Sequence, residues 1–191
     1  QVVDGDIHTY NQNIIGLKDR PTAKTWVYAF IYGAGDAKLG QIVGGNSEAG
    51  LESRKRFINK VKGMKTLTSN LVNLLQRRKR KYGEYQLVAL DKRILLARSI
   101  HSSLNTLIQG AGAIICKQWL LNIIDEVDKQ NLDAKPVANV HDEVQFEVRK
   151  EQAVDFGNIT KEAMKRVEKQ FDLRCALDSE YSIGTTLKET H

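Results

Sequence analysis

The chain has 191 residues, of which 41% are hydrophobic and 27% charged, an ordinary balance for a folded protein that speaks against disorder. Its apolar stretches are broken by Gly, Asn, Gln or Lys before the roughly 20 residues that span a bilayer, and no apolar leader with a small-residue cleavage site opens it, so neither a membrane partner nor secretion is expected. A formal net charge of +6 with a pI near 9.3 points to polyanionic partners instead.

The first segment with helical spacing runs from about Arg20 to Tyr32. Pro21 suits its first turn, where a missing N–H costs nothing, and Gly33-Ala34-Gly35-Asp36 breaks it. Arg20, Lys24, Tyr28 and Tyr32 recur every four residues, so the row drifts only about 40° per step around a helix. Two cations and two phenols therefore share one broad face, a surface suited to a nucleoside triphosphate. The plain alternative is a solvated helix end with its tyrosines packed into a core. Gly33-Ala34-Gly35 is not a dinucleotide-binding loop, because no third Gly follows at the right spacing and a helix precedes it.

Two further helices are expected over about Ser47–Asn59 and Met64–Arg80. Positive charge is densest at Arg54-Lys55-Arg56 and Arg77-Arg78-Lys79-Arg80-Lys81. Such runs attract polyanions, although the second reads equally well as a solubilising run on a mobile loop. Leu87–Leu90 and Ile94–Leu96 read as two short strands around Asp91-Lys92-Arg93.

From about Ser102 to Asp128 the apolar positions Leu104, Leu107, Ile108, Ala111, Ile114, Ile115, Trp119 and Ile123 mark a long helix. Gly110 and Gly112 inside it each cost about 1 kcal/mol relative to Ala, and close backbone approach is a reason to keep them. Val137–Val140 and Val144–Val148 form a hairpin flanking His141-Asp142-Glu143, with Val144, Phe146 and Val148 on a buried face. Ile159, Ala163 and Val167 give an amphipathic helix over Glu151–Gln170, and Arg174–Ile183 has strand character. Pro136 is placed at an element boundary. Cys116 and Cys175, far apart and without metal-ligand spacing, read as buried thiols in a reducing cytosol, so the expected location is cytoplasmic. Helices first and strands later make the class α+β.

Two polar groups add chemistry to the row on the first helix. His141-Asp142-Glu143 lifts two carboxylates out of a hydrophobic hairpin with no Lys or Arg in the turn, an expensive arrangement unless a cation compensates it. Mg²⁺ fits, because it prefers hard oxygen ligands and keeps substrate phosphates in its shell; an ordinary polar turn is the alternative. His101, Asn105 and Gln109 lie four apart on one expected helical face. They can hydrogen-bond base edges or sugars in a minor groove without demanding one base.

In this order, Asp6-Ile7-His8-Thr9, the Arg20/Lys24/Tyr28/Tyr32-Gly33 row, Leu104-Asn105-Thr106 with Gln109, Val140-His141-Asp142-Glu143-Val144 and Arg174-Cys175-Ala176-Leu177-Asp178 resemble the family A, DNA polymerase I-like, DNA polymerases, above all their bacteriophage replicative branch. The resemblance spans nearly the whole chain. It implies a mainly helical fingers subdomain over 1–115 and the C-terminal part of an antiparallel-sheet palm over 116–191. It further implies that His8, Arg20 and Lys24 bind the triphosphate, with Lys24 assisting the departing pyrophosphate. Tyr28 would stack near the sugar and base of the incoming dNTP, with tolerance of a missing 3′-hydroxyl. Tyr32 and Gly33 would sit by the templating base. His101, Asn105, Gln109 and His141 would line the primer terminus and minor groove of primer-template DNA. Asp142 would hold catalytic Mg²⁺, two ions in the family, with Glu143 an auxiliary carboxylate.

The family's first catalytic aspartate lies on a palm strand before Asp-Ile-His-Thr, and Asp4 and Asp6 are poor substitutes for it. The expectation is a chain silent by itself, partnered by an upstream polymerase portion carrying the thumb and remaining palm, with a processivity factor as a further possible partner. Lys92 stands where related hairpins often have Gly. A second class of reading is a non-enzymatic nucleic-acid-binding module that keeps the fingers surface.

Overall fold

The computed structural model describes Asp6–Thr190. Asp4, weighed above as a metal ligand, lies outside the described residues. The elements run α1 (Ile7–Ile15), α2 (Arg20–Ile31), α3 (Asp36–Ile42), α4 (Ser47–Lys60), α5 (Met64–Tyr82), β1 (Tyr85–Val88), β2 (Ile94–Ala97), α6 (Ser103–Gln130), β3 (Ala134–Val140), β4 (Glu143–Val148), a 3₁₀ turn at Lys150–Gln152, α7 (Ala153–Gln170) and α8 (Leu187–Thr190). Helices with two small antiparallel hairpins make an α+β chain, as the sequence implies. Two compact units emerge, one of residues up to Ala89 with Arg93–Ile108, the other of Leu90–Lys92 with the residues from Gln109 on. Their division at 108/109 lies inside α6, as does the 115/116 boundary expected from the sequence.

The first unit is built on capped helices around an aromatic centre. Asp6, Asp19 and Asn46 cap α1, α2 and α4, each side chain accepting from a backbone N–H of the first turn. Trp26 is fully buried, stacks on Phe30 at 5.5 Å and meets Phe57 at 5.3 Å, while its Nε1 donates to Ser53 Oγ at 3.1 Å. The indole thereby buries its area without leaving its one donor unpaired. Helices α3 and α4 meet through glycine: a Cβ on Gly40 would lie 1.9 Å from Asn46 O, and one on Gly50 1.9 Å from Asp36 O. Neither α1 nor α3 is anticipated from the sequence.

β1 and β2 pair from Tyr85 with Ala97 to Val88 with Ile94. Lys92 takes φ +69° in the connecting turn, the left-handed region that favours Gly, so a side chain is held there under strain.

The second unit repeats the aromatic theme. Trp119 on α6 donates Nε1 to Thr160 O on α7 at 2.8 Å, and Asn122, also buried, donates to Ala163 O at 3.2 Å. Ile123, Phe156, Ala163, Met164 and Val167 complete this core. The α7 stripe is Phe156, Thr160, Ala163, Met164 and Val167, with Ile159 only half-buried on its flank. β3 and β4 pair from Ala134 with Val148 to Val140 with Glu143, and the register slips between Pro136 and Ala138. Pro136 therefore sits inside β3 rather than at its boundary, beside an irregularity where its missing donor is tolerated.

Several expectations are corrected. Arg174–Ile183 forms no strand: it pairs with neither β3 nor β4 and lies along α7, with Leu177 N donating to Glu168 and the Tyr181 ring covering Gly157. Strand-like residues need a neighbouring ladder to become a strand. The buried/wet alternation of β4 is incomplete, since Gln145 is half-buried like Val144 and Phe146. Cys175 is exposed and Cys116 only half-buried. Gly112 has open space around it, so close approach within the described chain does not explain it. Helix α6, at 28 residues, is long and apolar enough to cross a membrane by length and composition alone, where the interrupted apolar stretches predict no span. Its Trp119, Asn122 and Ile123 are buried in the α6–α7 packing described above.

Candidate nucleotide and nucleic-acid site

α2 presents the row as the periodicity requires. Arg20, Lys24, Tyr28 and Tyr32 are all exposed, the two tyrosines to 47% and 57%, while Ala23, Trp26 and Phe30 on the opposite side are buried. The tyrosines are therefore not core residues. Tyr32 is the C-cap rather than a helical residue.

α1 brings His8 to this row, its ring centroid 6.2 Å from that of Tyr28. His8 Nδ1 is buried and finds no hydrogen-bond partner among the described residues. A buried nitrogen of this kind costs stability unless something else satisfies it.

Asp6, the cap of α1, also accepts from Arg20 Nε at 2.5 Å. The guanidinium and the Thr9 hydroxyl hold the Asp6 carboxyl well below the usual carboxylate range, and the carboxylate in turn raises Arg20. Lys24 forms no ion pair among the described residues. So the row carries one neutralised cation and one that is not.

The turn after α2 is held by Arg54, whose Nε donates to Asp36 Oδ1 at 2.6 Å and Nη2 to Ala34 O at 2.5 Å, with its guanidinium 5.6 Å from the Phe30 ring centroid. Arg56 donates to Glu52 Oε1 and Ile15 O. Two cations of the first basic run thus serve the fold, and that run is not the free polyanion surface expected of it. Gly33 has φ +80°, and a Cβ there would come within 2.9 Å of His101 O. Both facts require glycine. They also set the end of the row against the turn that enters α6.

His101 is exposed in that turn, two residues before α6 begins, so it does not share a helical face with Asn105 and Gln109 as expected. Asn105, in the same unit, has its side-chain oxygen buried without a partner among the described residues. Gln109 is exposed on α6 and belongs to the second unit.

In the second unit the β3–β4 bend is a two-residue tip, His141-Asp142, with His141 at φ +56°. Glu143 is not in the bend: it opens β4, pairs with Val140 and is half-buried. Its carboxylate accepts from Gln145 Nε2. Asp142 is exposed and accepts no hydrogen bond among the described residues. Burial first, and the Asp142 charge second, push the Cys116 thiol of α6 upward. Among the described residues no three of His, Cys, Asp and Glu converge as a metal site. Asp142 fits the role of a single hard oxygen ligand, not of a complete cage.

The sequence model of DNA polymerase family A matches residues 4–189. The chain belongs to this family. The DNA-directed DNA polymerases of Enterobacteria phage T3 and Escherichia phage T7 are each 37% identical to it, over 100% and 96% of the chain and 29% and 28% of their own lengths. DNA polymerase I of Aquifex aeolicus is 30% identical over 86% of the chain and 30% of its own length. The chain thus spans less than a third of the length of these relatives. Its fold also matches the solved polymerase domain of Pol1 from M. smegmatis, in complex with primer-template and dNTP, with a TM-score of 0.72 and 17% identity, over 86% of the chain and 32% of that one.

Asp6 as partner of Arg20 and Arg54 as the brace of the post-helix turn escape sequence reading. Both pairings join residues 14 or more positions apart. The only local signal is Asp6 at a cap position.

Proposed function

We propose that the chain supplies the nucleotide-binding and part of the catalytic surface of a template-directed DNA polymerase, which adds dNTPs to a primer 3′-hydroxyl. The exposed Arg20/Lys24/Tyr28/Tyr32 face, with His8 against Tyr28, carries this reading. His8, Arg20 and Lys24 bind the triphosphate, Tyr28 takes the sugar and base, and Tyr32 with Gly33 meets the templating base. His101, Asn105, Gln109 and His141 contact primer-template DNA. The partly unsatisfied His8 and Asn105 side chains support such polar ligands.

In the reaction the primer 3′-hydroxyl gives up its proton to solvent water and its oxygen forms a bond to the α-phosphorus as the bond to the pyrophosphate oxygen breaks. Lys24, through Nζ, neutralises the departing pyrophosphate and can give it a proton. Asp142 would hold Mg²⁺, with Glu143 behind it; such ions, when bound, polarise phosphoryl oxygens and lower the pKa of a bound hydroxyl. The remaining ligands, the thumb and the rest of the palm belong to an upstream portion. The family A membership and the phage relatives support this division of labour.

Primer extension tests it, using the chain alone and the chain with the upstream polypeptide. The expectation is no synthesis by the chain alone, synthesis on reassembly, and a loss of at least about a hundredfold on Asp142→Ala. Robust extension by the isolated chain overturns the division. Extension unchanged by Asp142→Ala favours the non-enzymatic nucleic-acid-binding module instead.

A further inference from the structure

The net charge of +6 is almost wholly local, because removing the run Arg77–Lys81 would leave the chain at +1. The structure places that run in the last turns of α5, not on a loop. Its members divide by task. Arg78 Nη1 donates to Gln86 O at 3.2 Å, and Lys79 Nζ donates to Gly83 O at 2.6 Å while standing 5.2 Å from the Tyr85 ring centroid, so these two fasten the helix to β1. Arg77, Arg80 and Lys81 are exposed and pair with no carboxylate among the described residues. Beside them Tyr82 is 52% exposed, with Lys81 Nζ 4.8 Å from its ring centroid.

A cluster of cations with no carboxylate partner, next to an exposed ring, has the two parts that bind an unpaired strand: charge for the phosphates and a flat face on which a base can stack. Duplex offers no free base to that ring, and an acidic peptide would engage the cations without needing it. We infer that the C-terminal end of α5, through Arg77, Arg80, Lys81 and Tyr82, is a binding surface for single-stranded DNA. Under the polymerase reading that strand is unpaired template, and only this assignment of its source rests on the reading.

The test measures binding of the full chain to fluorescently labelled dT20 by anisotropy across a salt series. Parallel titrations use a duplex of the same length and poly-glutamate. The triple variant Arg77→Ala/Arg80→Ala/Lys81→Ala leaves Arg78 and Lys79 in place, and its helicity by circular dichroism should match the parent. Each phosphate contact on a single strand contributes about 0.7 to the salt slope, so the triple variant should flatten the log–log slope for dT20 by about 2. Tyr82→Ser should weaken dT20 binding by at least about fivefold with the slope unchanged, and leave duplex binding unaffected.

An unaltered dT20 slope in the triple variant overturns the inference, and so does equal weakening of duplex by Tyr82→Ser. Patch-dependent binding of poly-glutamate without patch-dependent binding of dT20 would replace the strand with an acidic protein partner. Because the readout is binding rather than extension, failure of the polymerase reading leaves the result intelligible.

Discussion

Arg20 and Lys24 look equivalent in the sequence, one helical turn apart on the same face, yet they are electrostatically unlike. Arg20 gives its Nε to Asp6, which leaves its terminal nitrogens for a ligand but offsets its charge. Removing Arg20 alone therefore does two things to a bound triphosphate: it deletes a charged donor and it uncovers a carboxylate. Arg20→Ala should weaken dNTP binding by at least about tenfold, the scale of a hydrogen bond to a charged group. Adding Asp6→Asn, which keeps the cap of α1 because Asn caps as well as Asp, should restore part of that loss. Equilibrium dNTP titration of the two variants decides it. A double variant that binds no tighter than Arg20→Ala would show that Asp6 has no electrostatic say in the site. Of this arrangement the sequence shows the row, since a period of four is local information. It hides the Asp6 pairing, which depends on how α1 lies against α2.

At the scale of elements, the long periodic helices α2, α4, α5, α6 and α7 are all legible, and so are both hairpins. The short ones are not. α1 interleaves Asn11 and Asn13 with its apolar positions, and α3 is seven residues with a glycine inside, so neither would hold together on propensity. They exist because something covers them. Gly50 shows how tightly α4 covers α3, and it sets two effects against each other. In a solvated helix Gly→Ala gains about 1 kcal/mol. Here the added Cβ would lie 1.9 Å from Asp36 O and 2.6 Å from Gly40 N, and backbone cannot swing aside as a side chain can. Overpacking of this kind costs typically about 1–3 kcal/mol and wins. Gly50→Ala should therefore lower the stability of the chain in urea by up to about 2 kcal/mol, and a rise in stability would mean that α3 and α4 can part without cost. The tail 174–183 fails in the opposite sense. Its residues favour a strand, but strand formation is decided by a neighbour's backbone rather than by the segment.

Across the whole molecule the chain divides its stability between two separately cored units, each centred on one tryptophan with its donor satisfied. Their polar support differs. In the second unit Glu126 on α6 accepts from Gln130 and from Lys129, and from Arg166 of α7 at 2.5 Å, while Arg166 also donates to Asn122 O at 2.6 Å. The Gln130 amide, then Arg166 and Lys129, hold the Glu126 carboxyl down to about 2, against an ordinary value of 4.5. A group whose pKa falls on folding adds stability that is complete above the ordinary value and is lost as pH drops towards the folded one. The α6–α7 pair should accordingly loosen between about pH 4.5 and 2. Replacing Glu126 with Gln removes that dependence while keeping a polar side chain of the same size. Hydrogen exchange on α7 amides over this pH range should show the parent losing more protection than Glu126→Gln, and the parent better protected at pH 7. Parallel losses in the two proteins would mean that the Glu126–Arg166 link contributes nothing to holding α7 on α6, leaving the task to Trp119, Ile123, Phe156 and Val167.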